Sequence, residues 1–181
     1  MNAIDARIGA RIRGLRGAAT LDALAAASGV SRAMLSRIER GESSATAQLL
    51  NRLAGGLGVT LSALFAEPAA GPLMRRAEQP VWRDPGTGYT RRTVSASEGR
   101  VEIVEVTLPA GAEVRFDNAR VAAAGQLVWV LAGRLALTLG DATHQLDRGD
   151  CLAMRFGEPV RFHNPTRRPV RYAVILEGAG P

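Results

Sequence analysis

Four residues in the stretch SGVSRAMLSRIERGE (28–42) carry groups suited to reading another molecule: Arg32, Ala33, Ser36 and Arg37. Leu35 and Ile38, three positions apart, define one face of a helix from Ser31 to Arg40, and the four residues lie off that face, near its N-terminal half. An arginine offers two parallel donors that match O6 and N7 of guanine, a pairing that discriminates between bases by about 1–3 kcal/mol in a major groove wide enough for one helix. Ser36 is short enough for close approach and bonds a base or a phosphate, while Ala33 packs on a thymine methyl.

The elements that must hold this face in place are legible around it. Ala25 is small where two helices approach, Gly29 permits a positive φ in the turn, and Leu35 anchors the second helix in a core, which is the spacing of a helix-turn-helix. Ile4, Ile8, Ile12 and Leu15 repeat at helical spacing, as do Leu21, Leu24 and Ala25, and Leu49, Leu50, Leu53 and Leu57. Thr20, Ser31, Thr46 and Thr60 precede these runs as N-caps, and Gly29, Gly41 and Gly58 follow as stops. Five short helices are predicted, over 4–16, 20–28, 31–40, 46–56 and 60–66.

After EPAAGP (67–72) the rhythm changes to alternation. RVEIVEVTLPAG, QLVWVLAG, RLALTLG, DCLAMRF, PVRFHNP and RPVRYAVILEG read as short strands separated by Gly, Pro, Asp or Asn. Evenly spaced short strands predict a β-sandwich or barrel. The chain therefore reads as a helical head (1–67), a linker (68–78) and an all-β body (79–181).

Composition bounds the rest. The 181 residues carry a net charge of +6, and all 23 basic residues are arginine. MNAIDARIGARIRG lacks the apolar core of a secretion signal, and no apolar run approaches the roughly 18 residues of a membrane span. A cytoplasmic protein without membrane contact is expected. The single cysteine, Cys151, cannot form an internal disulfide, and GDCLAMRF predicts inert packing in a buried strand.

SGVSRAMLSRIERGE, together with LGVTLSALF, resembles the helix-turn-helix regulators of the XRE (lambda repressor/Cro-like) class over about residues 7–66. The resemblance implies an all-α, five-helix domain whose third helix enters the major groove of double-stranded DNA. It places Arg32, Ala33, Ser36 and Arg37 at base-reading positions and Arg40 and Ser43 toward phosphates. Glu39 is implied to pair with an arginine of the first helix, for which Arg16 is the candidate. This sequence departs from the class in a shorter turn after the first helix and in Leu21, where many relatives carry a glutamine. Residues 1–67 hold eight arginines and five acids, a net +3. One such head neutralises few phosphates, so a homodimer reading half-sites about one helical turn apart is expected.

The second half resembles the cupin fold, a jelly-roll barrel, over about 79–178, through VLxGxL at Val130–Leu135, LxxGD at Leu146–Asp150, and Pro159, Asn164 and Pro165. Cupin enzymes hold a divalent metal on three histidines and a glutamate. The corresponding positions fall on Gln126, near Arg120 and Ala122, and on Val160, none of which retains its ligand type. His144 and His163, the only histidines, stand elsewhere, and His163 should face away from Phe162. Neither a cofactor nor a metal is expected. A barrel interior offers an effector pocket with Arg120 and Gln126 as polar contacts amid Val128, Val130, Met154, Val160, Phe162 and Tyr172; the alternative is a packed barrel used only for dimerisation.

The expectation is thus a non-enzymatic, dimeric, sequence-specific transcriptional regulator on a pseudo-palindromic operator, modulated by a small molecule. Two further readings stay open: a metal-dependent cupin dioxygenase or isomerase with an accessory helical domain, and an antitoxin built on the head.

Overall fold

Three of the helices begin where a hydroxyl closes the first turn. Thr20, Ser31 and Thr46 lie in extended backbone, and their side chains accept from the N–H of Ala23, Met34 and Leu49. Such caps are typically worth about 1 kcal/mol. In the computed structural model, which describes residues 3–66, 72–95, 101–117, 125–155 and 157–177, these three starts open α2 (Leu21–Ser28), α3 (Arg32–Glu39) and α4 (Ala47–Leu57), which follow α1 (Ala3–Arg16). Gly29 ends α2 at φ 65°, a left-handed conformation that a side chain would strain, and its N–H returns to Ala25 O at 2.8 Å. The predicted fifth helix is not an α-helix. Leu61–Leu64 forms one 3-10 turn, with Ala63 N–H to Thr60 O at 3.1 Å and Phe65 N–H to Ser62 O at 2.9 Å. Four residues supply too few bonds to offset helix nucleation, and Phe65 leaves the register to pack edge-on against Trp82, ring centroids 5.4 Å apart.

The second half contains ten strands among the described residues: β1 (Val81–Arg83), β2 (Thr90–Thr93), β3 (Val101–Leu108), β4 (Glu113–Asp117), β5 (Gly125–Ala132), β6 (Leu135–Leu139), β7 (Ala142–Leu146), β8 (Cys151–Arg155), β9 (Pro159–His163) and β10 (Val170–Glu177). They pair antiparallel in two facing sheets, ordered β1-β2-β3-β10-β5-β8 and β4-β9-β6-β7, a jelly roll. Alternation turns Val104, Val106 and Leu108 of β3 and Val128 and Val130 of β5 toward Leu135, Leu137, Val160 and Phe162 of the other sheet, all buried. The six segments with clear alternation became β3, β5, β6, β8, β9 and β10. β1, β2, β4 and β7 left weaker traces, because β1 has three residues and β7 exposes four of its five.

Two of the sequence marks have structural causes. Gly133, at φ 86°, lets the β5–β6 turn pass Val170, whose Cα would lie 3.2 Å from any Cβ there. Asn164, fully buried, donates to the carbonyls of Leu108, Pro109 and Arg168 and accepts from Thr166, pinning the loop before β10. The expectation for Cys151 is corrected: it is exposed. On the edge strand β8 the alternation turns Met154 inward and Cys151, Ala153 and Arg155 outward, a phase that one-residue register decides.

The head docks directly on the barrel. Asp84, buried between β1 and β2, accepts the Ala47 N–H at 2.8 Å at the start of α4, and its other oxygen holds Thr87. Asn51 of α4 donates to the carbonyl of Asp117 at 3.0 Å. Residues 68–71 of the expected linker lie outside the described residues, and 72–78 form neither helix nor strand.

Candidate functional site

The α3 helix is held from behind. Leu35 and Ile38 are buried in the head core, and α1 crosses α3 so closely at Gly9 that a Cβ there would lie 2.2 Å from Ile38 O. Glu39, 6% exposed, receives Arg16 on both oxygens, Nε at 2.6 Å and Nη2 at 2.9 Å, while Arg13 donates to the Glu39 carbonyl at 2.7 Å. The hydrogen bond to Glu39 raises the Arg16 pKa further above its ordinary value. A two-pronged charged pair of this kind fixes orientation as well as position. The shorter turn before α2 therefore does not prevent the α1–α3 pairing.

On the outer side, Arg32, Ala33 and Arg37 are exposed and Ser36 is half-buried; with Leu21 and Arg40 they line one shallow open depression. Arg32 lies 3.3 Å from Asp22, but with side chains 67% and 75% exposed the pair is weakly held and exchanges readily for a phosphate or base edge. The Arg37 carbonyl accepts from Glu42 N–H at 2.9 Å, but its guanidinium makes no hydrogen bond or ion pair among the described residues. Arg40 donates to both oxygens of Glu42, at 2.6 and 2.7 Å, and to Ser36 Oγ. That hydrogen bond holds the Glu42 carboxyl below its ordinary value, with the field of Arg37 adding to the effect. Ser43, half-buried, donates to Met34 Sδ at 3.8 Å.

A second concave region lies between head and barrel. Gln126, Val160, Phe162 and Tyr172, four of the eight expected pocket residues, line it, while Val128 and Val130 are packed in the barrel core. Met154 does not line it either: it is buried behind Gln126, whose Nε2 donates to its sulfur at 3.0 Å. Arg120 lies outside the described residues. Sequence reasoning missed Tyr89 and Arg91 on the barrel side and Asn51, Thr60 and Ser62 on the head side, which also line the cavity. The signal was Tyr89, Arg91 and Thr93 at period two, all buried. The head residues gave none, since nothing local says that α4 faces a barrel.

The cupin fold implies a metal, and the residues here do not fit one. Gln126 and Val160 stand at two of the four ligand positions and lack imidazole or carboxylate; Arg120 and Ala122 lie outside the described residues. Among the described residues no three His, Cys, Asp or Glu side chains come together. His163 is half-buried beside the inward Phe162, and His144 is exposed.

An anchored helix with an open cationic face, set on a jelly roll, defines a helix-turn-helix protein with a cupin domain. Residues 12–64 match the helix-turn-helix family model and residues 104–176 the cupin domain model. Together the two matches give the chain an XRE-type helix-turn-helix domain, a DNA-binding type, and a C-terminal cupin domain. A structure from Vibrio cholerae described as an HTH_3 family transcriptional regulator is similar at 26% identity over 98% of both chains, TM-score 0.77. FeII HppE (16% identity, 96% of this chain and 100% of that one, TM-score 0.50) and KdgF from Halomonas sp. (17%, 61% and 96%, TM-score 0.50) share the fold alone. No curated protein matches the sequence. Among the described residues no helix is long and apolar enough to cross a membrane.

Proposed function

We propose that the chain is a homodimeric, sequence-specific transcriptional regulator whose α3 enters the major groove at each half of a pseudo-palindromic operator, under the control of a small molecule held by a metal-free barrel. The division is a DNA-reading head (1–67), a linker (68–78) and a barrel (79–181) that dimerises and senses. The observation that carries the reading is the two-sided α3, with Leu35, Ile38 and Glu39 buried behind it and Arg32, Ala33, Ser36 and Arg37 turned outward. Arg32 and Arg37 read bases, Arg40 and Ser43 approach phosphates, and the likeness to the Vibrio cholerae regulator supports the assignment. Sequencing of random duplexes retained by the purified protein tests it: an inverted repeat should emerge, and retention without sequence preference overturns the specific reading.

The dimer is supported by the outward face of the six-stranded sheet. Leu127 and Trp129 of β5 are 40% and 46% exposed and Val101 of β3 46%, with Cys151 and Ala153 beside them on β8. Large exposed apolar groups in one patch mark contact surfaces. Arg155, Arg171 and Glu177 border the patch, so a two-fold axis can set opposite charges against each other. Trp129→Asp should convert the dimer to a monomer by light scattering while circular dichroism is retained; a monomeric wild type at micromolar concentration removes the dimer from the account.

A further inference from the structure

Resting on the reading of the barrel as a sensor, we propose that the cavity between head and barrel binds a short monocarboxylate, and that head residues complete the site. The cavity holds about 70 Å³ of room for water-sized groups. At roughly 10–15 Å³ per water this admits a molecule of about five to seven non-hydrogen atoms. Its walls are mostly apolar, including Val106, Val114, Phe116 and Phe162. The polar groups among them are donor-rich.

Arg91 is 5% exposed, and its Nε–H is buried with no hydrogen-bond partner among the described residues. A charged donor in that state lacks the acceptor that burial normally demands. Tyr89 and Tyr172 are each 4% exposed, and no hydroxyl partner is found for either among the described residues. Burial pushes both phenols above their ordinary values, so both stay O–H donors. Gln126 spends its amide N–H on Met154 and keeps its carbonyl oxygen.

One guanidinium and two phenols suit a single anionic head with two oxygens. A dianion is disfavoured, because Arg91 already meets Glu102 at 3.0 Å and the lining has no second cation among the described residues. An amine would face Arg91 with no carboxylate to accept from it among the described residues of the cavity wall. The volume excludes nucleotides and sugars.

The site also contains its own route to the DNA-reading head. Arg91 Nη2 donates to Ser62 Oγ in the 3-10 turn, and the guanidinium lies 4.6 Å from the Phe65 ring centroid. Asn51, Thr60 and Ser62 close the cavity from the head side. An anion drawn to Arg91 competes with Glu102 for the same cation, while Ser62 Oγ, which accepts from Arg91, holds the guanidinium at the cavity wall. Ligand affinity therefore differs between head arrangements, which is the requirement for coupling to DNA binding.

The test is calorimetric titration of the full-length protein with straight-chain acids of three to five carbons and 2-oxo acids of three or four, butyrate first, alongside butyramide and butan-1-ol. At least one acid should bind while the amide and alcohol do not. Tyr172→Phe, which keeps the ring, and Ser62→Ala in the head should each weaken that acid about tenfold. Failure of every acid to bind, equal binding of the amide, or indifference to both substitutions overturns the proposal. Gel shifts with the binding acid test the sensor reading separately: acids that bind without altering DNA affinity sustain the site and sink the effector role.

Discussion

Arg37 on α3 and Arg91 on β2 are the same side chain in opposite situations. Arg37 is exposed and uncommitted; Arg91 is buried, bonded to Ser62 and Glu102, set over Phe65, and still has one N–H without an acceptor. The difference teaches where each charge does its work. An exposed guanidinium adds little to folding and keeps its full bonding capacity for a partner molecule. A buried one has lost its hydration and must recover it from fixed neighbours, so it becomes part of the architecture that joins the two domains.

Substitutions can break this contrast from the stability side. Arg91→Ala leaves Glu102 and Ser62 without their partner at the head–barrel junction and should cost about 2–4 kcal/mol in urea denaturation followed by tryptophan fluorescence. A loss below about 0.5 kcal/mol, the range of ordinary surface changes, would show that the buried cation is incidental.

The opposite profile is expected on the reading face. Arg37→Ala should leave urea stability within about 0.5 kcal/mol of wild type, yet weaken the selected operator by about 1–3 kcal/mol and relax preference at one base pair. Equal weakening on all sequences would move Arg37 from base to phosphate.

The surface ion pairs sharpen the contrast with smaller effects. Asp22→Asn releases Arg32 from its 3.3 Å neighbour, and the salt dependence of DNA binding should steepen by less than about one unit of log K against log salt, with thermal unfolding unchanged. The Arg40–Glu42 pair should matter least. Because Arg40 holds the Glu42 carboxyl below its ordinary value, its small contribution is present above the ordinary glutamate range and fades as pH falls through the lowered value. Wild type should be slightly more stable than Glu42→Gln at neutral pH in acid titrations of thermal stability, and the difference should close as pH falls through that window; a difference that persists unchanged into acid would assign Glu42 another role.

Much of the head was legible because its signals are local. Thr20, Ser31, Thr46 and Thr60 all cap, and Gly29 and Gly58 both end helices in the left-handed conformation. The Arg16–Glu39 pair, 23 positions apart, was implied by the resemblance alone, and the two side chains do meet. Where the reading failed, the signal was weak or ambiguous. LSALF carries an N-cap and helical spacing, but four residues close only a 3-10 turn. CLAMR alternates in either phase, and only pairing with β5 decides that Met154 points inward and Cys151 outward.

Residue order alone determined the change from helices to strands along the chain, the helix-turn-helix geometry and which face of α3 is buried. Caps, turns and apolar periods act over a few residues, so they can be read along the chain. The partners of Arg91, the closure of the barrel cavity by α4 and the 3-10 turn, and the Asp84 cap on α4 were decided only in three dimensions. Each joins residues dozens of positions apart, and such contacts depend on how two independently patterned surfaces meet, which no local period encodes.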